Sequence, residues 1–378
     1  MKVEVFNYPC PSCGAAQVYS SEEGLLICEF CKTSTPIRPK ESIDVHLLEN
    51  ALSSLKEIED KDITCKKCGA SFQKPHYNIS TKCPYCKTPV LTDTLQELDI
   101  DAILPFKISH KKAQKAFKKW VGSLWFAPTA FTKYLDGDNK LIGSYIPHFV
   151  YDSDTATHYS GARGDAYYVT VNKVVRDAQG NQREVQVQER HIRWTPVSGV
   201  VEVSFKDITI PSSKEIDYHI VDDLSRWDIN GLKAKDFRYL SGFEATEYTI
   251  SVQNSFDKAK DKMSPTIRTR IISDIGGDEQ QINTVSTRYI SPRYKNVLLP
   301  VWIASFEWNN KHYDYAINAQ SGKVSGERPY SIVKITLAIA GVIALGVALY
   351  YISQIPQVQE FLSQFQSNST TASYNYDY

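Results

Sequence analysis

All eight cysteines of this 378-residue chain stand in four Cys-x-x-Cys pairs, and the pairs themselves repeat. Fourteen residues separate Cys13 from Cys28 in the first set, and fourteen separate Cys68 from Cys83 in the second. A tetrahedral ion takes two thiolates from each of two tight turns, and about a dozen intervening residues suffice for the hairpin that brings those turns together. The pattern therefore predicts two metal ribbons. Cys10, Cys13, Cys28 and Cys31 form one ligand set, and Cys65, Cys68, Cys83 and Cys86 form the other. The turns Cys10-Pro-Ser-Cys13-Gly14, Cys65-Lys-Lys-Cys68-Gly69 and Cys83-Pro-Tyr-Cys86 carry the Pro or Gly that lets backbone N–H groups face the sulfurs. Zinc is the usual structural ion of such sites, so two zinc ions per chain are expected; the same donor set also accepts iron.

A disulfide framework would need an oxidising compartment. The opening residues Met1-Lys-Val-Glu-Val-Phe-Asn-Tyr-Pro9 contain no apolar stretch of signal-peptide length, so the ribbons are expected in reducing cytosol. Between Cys31 and Cys65 lie 33 residues with a helix expected near Leu47 to Ile58. That spacer favours two sequential ribbons over a cross-braced pair.

Near the other end, residues Ile335 to Ile352 form an eighteen-residue run without a charge, close to the lower limit for a membrane-spanning helix. The competing reading is a buried helix of a soluble core. Lys323, Arg328 and Lys334 precede the run, and no Lys or Arg follows it through Tyr378. The positive-inside rule then puts residues 1–334 in the cytosol and the polar tail 353–378 outside the cell membrane. Thr336, Ala340, Ala344 and Ala348 make a small-residue stripe that suits self-association, although alanine is also common in membrane helices.

The intervening chain reads as α+β with antiparallel sheet. A helix capped by Ser109 is expected to run to about Leu124. It carries Lys111, Lys112, Lys115, Lys118 and Lys119 on one face and Ala113, Phe117, Trp120, Val121 and Leu124 on the other. Period-two alternation in 167–176 and 183–190, around the turn 177–181, predicts a hairpin. A long amphipathic helix is expected at Ser251 to Ile275, with strands at 296–307, 311–318 and 323–328. Tyr145-Ile-Pro-His-Phe149 and Leu299-Pro-Val-Trp302 echo one another faintly. The resulting division is ribbon 1 at 1–40, a helical linker at 41–62, ribbon 2 at 63–95, an α+β domain at 96–330, and the membrane helix and tail.

The double ribbon, together with Ala102-Ile-Leu-Pro-Phe-Lys107, Trp125-Phe-Ala-Pro128, Tyr159-Ser-Gly-Ala-Arg-Gly164 and Ser325-Gly-Glu-Arg-Pro329, resembles a group of bacterial membrane proteins with tandem zinc ribbons. Members are labelled primosomal-helicase-like, transcription-factor-B-type zinc-binding, or phage replisome organiser. The resemblance covers nearly the whole chain. It implies partners among flotillin-like and phage-shock-type proteins at the membrane. A helicase motor is not encoded, because no Gly-x-x-x-x-Gly-Lys-[Ser/Thr] loop is present to hold a nucleoside triphosphate.

Catalysis is not expected. Every thiol is committed to metal, and the eight histidines are scattered singly. Asp152, Asp154 and His158 are near one another, but strand-rich domains are full of such triples. Nucleic-acid binding is the alternative function, through ribbon 2, whose Lys66, Lys67, Lys74, Lys82 and Lys87 accompany Phe72, Tyr77 and Tyr85 as stacking candidates. Against it, residues 1–95 hold eleven basic and twelve acidic side chains, and the whole chain balances 43 against 43. The favoured expectation is a single-pass adaptor that recruits soluble proteins to the cytosolic face of the membrane.

Overall fold

A computed structural model describes residues 5–6, 8–39, 42–51, 62–65, 68–73, 78–86, 88–92, 100–129, 141–176, 182–214, 216–308, 310–356 and 358. The first nine strands are short, two to five residues each. They are β1 (Val5–Phe6), β2 (Gln17–Ser20), β3 (Leu25–Cys28), β4 (Ser34–Thr35), β5 (His46–Leu47), β6 (Asp62–Thr64), β7 (Ser71–Gln73), β8 (Asn78–Lys82) and β9 (Pro89–Thr92). Strands β2, β3 and β4 form one small sheet, and β6 pairs with β7.

There follow β10 (Ala102–Ile103), α1 (His110–Gly122), β11 (Ile142–Arg176), β12 (Gln182–Pro211), α2 (Tyr218–Asp223), β13 (Lys233–Ala234), β14 (Glu244–Thr246), α3 (Val252–Ile275), β15 (Glu279–Trp308), β16 (Lys311–Asn318), β17 (Val324–Gly326) and α4 (Ile332–Ser353). The chain divides into two compact units. The first comprises residues 1–117, 140–307 and 312–326; the second comprises 118–139, 308–311 and 327–378.

The frame of the first unit is an antiparallel trio, β12-β11-β15. At 35 residues, β11 has a contour of about 115 Å, several times the usual strand length. Its pairing with β12 runs from His148↔Pro211 to Arg176↔Gln182, interrupted by a bulge at Tyr151/Ser153. The two echoing segments lie opposite each other on β11 and β15, with Tyr145 facing Pro300 and Pro147 facing Leu298.

Helix α3 covers one face of this trio. Its Phe256, Ala259, Met263, Ile267, Ile271 and Ile275 recur every three or four positions, the spacing of a single helix face. They bury against Phe149, Tyr151, Tyr159, Val201, Phe205, Ile210 and Tyr294. Ser251 accepts the Asn254 N–H at the helix start, and Gly276 and Gly277 end it at positive φ. Two smaller clusters include Leu104, Val150 and Leu299, and Ile146, Leu224 and Val301.

Several sequence expectations change in detail. Helix α1 exposes its five lysines and buries Ala113, Phe117 and Val121, but the Ser109 hydroxyl makes no hydrogen bond and so does not cap it. The helix expected near Leu47 to Ile58 does not begin as a helix. His46–Leu47 is a strand paired with Arg293–Tyr294, followed by a 3₁₀ turn at Leu48–Asn50, and 52–58 lies outside the described residues. Tertiary pairing wins there: His46 Nε2 is 2.8 Å from the buried Asp101 carboxylate, which also accepts the Asn296 N–H at 2.7 Å. The hairpin turn 177–181 is likewise outside the described residues.

In the second unit, α4 has 22 residues, about 33 Å of helix, enough to cross the hydrocarbon core of a bilayer. None of its residues is buried. The core helix of a soluble protein is mostly buried, and the lack of burial along the whole of α4 supports the membrane-spanning reading instead.

Candidate metal centres

Each cysteine quartet closes on itself, in the sequential arrangement. All four Sγ atoms of Cys10, Cys13, Cys28 and Cys31 lie within 4.8 Å of one another, and so do those of Cys65, Cys68, Cys83 and Cys86. The nearest approaches are 3.4 Å for Cys10–Cys31, 3.5 Å for Cys13–Cys28, 3.6 Å for Cys65–Cys86 and 3.8 Å for Cys68–Cys83. Thiolates about 2.3 Å from a central ion define a tetrahedron with edges of about 3.8 Å, so either quartet can hold a metal ion. A disulfide needs about 2.05 Å, and all eight thiols are free.

One hydrogen-bond frame builds the turns. The N–H groups of Cys10, Cys28, Cys65 and Cys83 reach the carbonyls of Ala15, Thr33, Ala70 and Thr88, each five residues on, at 2.7–2.9 Å. Gly14 and Gly69 donate back to Cys10 and Cys65 and sit at φ +72°, a left-handed conformation that costs glycine nothing. Lys32 takes the same place after Cys31 at φ 62°. The first cysteine of each pair is buried, while Cys13, Cys31 and Cys68 are exposed.

Two threonines join the sites without having been singled out in the sequence. Thr33 Oγ1 is 3.2 Å from Cys31 Sγ, and Thr88 Oγ1 is 3.2 Å from Cys86 Sγ. The Thr33 hydroxyl, helped by the Thr33 backbone, pulls the Cys31 thiol down to about 6, and Thr88 does the same to Cys86. Lowering a thiol in this way favours the thiolate that a metal requires. The signal was present as the repeated Cys-Lys-Thr at 31–33 and 86–88.

Both ribbons are fastened to the α+β fold. In the first, Tyr19 N–H donates to Ser241 O at 2.8 Å, Ser241 Oγ donates to Gln17 O at 2.6 Å, and the Tyr19 ring meets Tyr239 edge-on. In the second, β8 pairs with β14 and β9 pairs with β1, so a hairpin of the second cysteine ribbon is continuous with the main sheet. Ser80 Oγ adds a 2.6 Å bond to Phe243 O.

The remaining candidates are dispersed. Phe72 packs on Cys65, Cys83 and Val90 rather than standing free, whereas Tyr85 is exposed. Lys66, Lys67, Lys74, Tyr77 and Lys87 lie outside the described residues. Asp152 accepts the Asp207 N–H beside the β11 bulge and lies 3.6 Å from Lys295, which gives it a structural task; Asp154 and His158 are exposed.

Compared with known proteins, the chain is 26% identical over 350 residues to the uncharacterized protein YdjG of Bacillus subtilis (strain 168), spanning 89% of this chain and 94% of that protein. No family model matches the chain, and no solved structure matches it. The two four-cysteine clusters fit tandem zinc ribbons.

Proposed function

We propose that this protein is a single-pass, membrane-anchored adaptor that recruits soluble protein partners to the cytosolic face of the membrane. In this reading each cysteine quartet binds one zinc ion as a structural centre, and α4 is the anchor with its C-terminal tail outside. The metal would hold each pair of turns together and supply folding energy. The small-residue stripe of α4 offers a face for a second copy.

One observation carries the recruiting role. Strand β15 begins opposite Gly164, so beyond it residues 165–176 and 182–193 pair only with each other among the described residues. No described helix backs this two-stranded ribbon, and it displays Tyr167, Tyr168, Val169 and Val174 to solvent. Isolated hairpins are marginal in water, and exposed tyrosines are frequent anchors of protein docking.

Purification of the full chain from membranes with zinc retained, read by mass spectrometry, tests the reading. Wild type is expected to bring down a defined set of soluble proteins, which Tyr168→Ser with Val174→Ser removes. An unchanged set, together with tight and salt-sensitive DNA binding, would instead establish the nucleic-acid alternative.

A further inference from the structure

The second unit contains a short turn whose most exposed side chain is a tryptophan. Trp125 is 78% exposed and its neighbour Phe126 39%, between Leu124 and Ala127, which are buried. The turn is well held: Ser123 Oγ donates to Trp120 O at 2.6 Å, and Ala127 N–H donates to Leu124 O at 3.0 Å. Its exposed ring is therefore presented by a fixed backbone.

The same turn is tied to the start of α4. Ser331 N–H donates to Phe126 O at 2.7 Å, and Lys334 Nζ donates to Ala127 O at 2.7 Å. Lys334 lies at the third position of a helix that is otherwise uncharged to Ile352. An ammonium deep in hydrocarbon is costly, so Lys334 marks the membrane–water boundary. The backbone of Phe126 and Ala127, within hydrogen-bond distance of positions 331 and 334, must then lie at that boundary as well. Tyr330, 58% exposed, lies one residue before the Ser331 cap, and Lys118 and Lys119 are exposed on the helix leading into the turn.

We propose that the turn 123–127 is a second membrane contact, in which Trp125 and Phe126 enter the headgroup region of the bilayer that α4 crosses. The occupant is phospholipid. Tryptophan and tyrosine favour this layer because one end of the ring is apolar and the other hydrogen-bonds, while the lysines suit anionic headgroups. The contact fixes the rotation and depth of α4, since a helix held by one end alone is free to turn about its axis. The proposal rests on α4 spanning the membrane, and the experiment separates the two.

The full chain is reconstituted into phosphatidylcholine–phosphatidylglycerol vesicles containing lipids brominated either near the glycerol or near the chain ends. Bromine quenches tryptophan on contact, and the difference between wild type and Trp125→Phe isolates Trp125. Depth of α4 is read separately by Leu345→Trp in the Trp125→Phe background. Expected are quenching of the Trp125 signal by shallow bromines and of the Leu345→Trp signal by deep ones. Deep quenching at position 345 with no quenching of Trp125 overturns the interfacial contact and leaves the span standing, as it would if the turn faced a protein instead. Absence of quenching at position 345 removes the span and the contact with it.

Discussion

His148 should make the folded chain lose stability in mild acid. Its imidazole, on β11, is 1% exposed, and Nδ1 lies 2.9 Å from Ile146 O, while Nε2 has no hydrogen-bond partner. The Trp227 ring is 6.0 Å away. Burial, which strips water from the charged form, and then the positive charge of Lys262 push the group down from 6.5 to about 3, although the Ile146 carbonyl opposes them. Because the folded value is the lower one, the unfolded chain takes up a proton first as pH falls through about 6.5. Stability is thus complete above that pH and declines toward pH 3. Between pH 7 and pH 5 the loss from this one residue is about 2 kcal/mol.

His148→Phe removes the titrating group. It also removes the bond to Ile146, but that deficit is the same at every pH, so the pH slope alone is diagnostic. Urea unfolding of the detergent-solubilised chain, followed by tryptophan fluorescence at the two pH values, measures it. Wild type should lose about 2 kcal/mol more than the variant on acidification. Carboxylates and the thiols of the two quartets titrate in both proteins and cancel in the comparison. Equal losses would show that His148 accepts a proton in the folded state, and the desolvation argument would be wrong.

Elemental analysis of gently purified chain should find two zinc ions, and Cys28→Ser should leave one, bound by the second quartet; loss of both would mean the centres are interdependent. Thr33→Val removes the hydroxyl at Cys31 and should weaken zinc binding about 10- to 100-fold in a chelator competition, with an unchanged affinity refuting its role. A cysteine placed at Ser373 should react with impermeant maleimide in intact cells, and labelling only after lysis would reverse the proposed topology.

Local chemistry carried much of this into the sequence. Cysteine spacing announced both quartets because a metal turn is complete within a few residues; the repeated Cys-Gly-Ala steps carry the same turn and hydrogen bonds, and both Cys-Lys-Thr steps set a threonine hydroxyl beside the second cysteine. Helix α3 was legible since one face, Phe256 through Ile275, meets one sheet. The uncharged run of α4 was legible because length and apolarity suffice to mark it.

What depended on distant partners was not. Strand β15 begins at Glu279, well before the segment from Asn296 that reads as a strand, since its first residues are polar and are held by pairing to β11. Propensity suggested a helix from Leu47, but His46 and Leu47 join a strand some 250 residues away because Asp101 and Tyr294 receive the histidine there. Nor does any pattern in Asn78–Lys82 reveal that a ribbon hairpin continues into the main sheet beside Glu244–Thr246. Metal turns, helix faces and apolar length are properties of neighbouring residues, and the sequence determined them. Edge pairing and burial of polar groups are settled by whichever backbone arrives to satisfy them, and only the tertiary structure decided those.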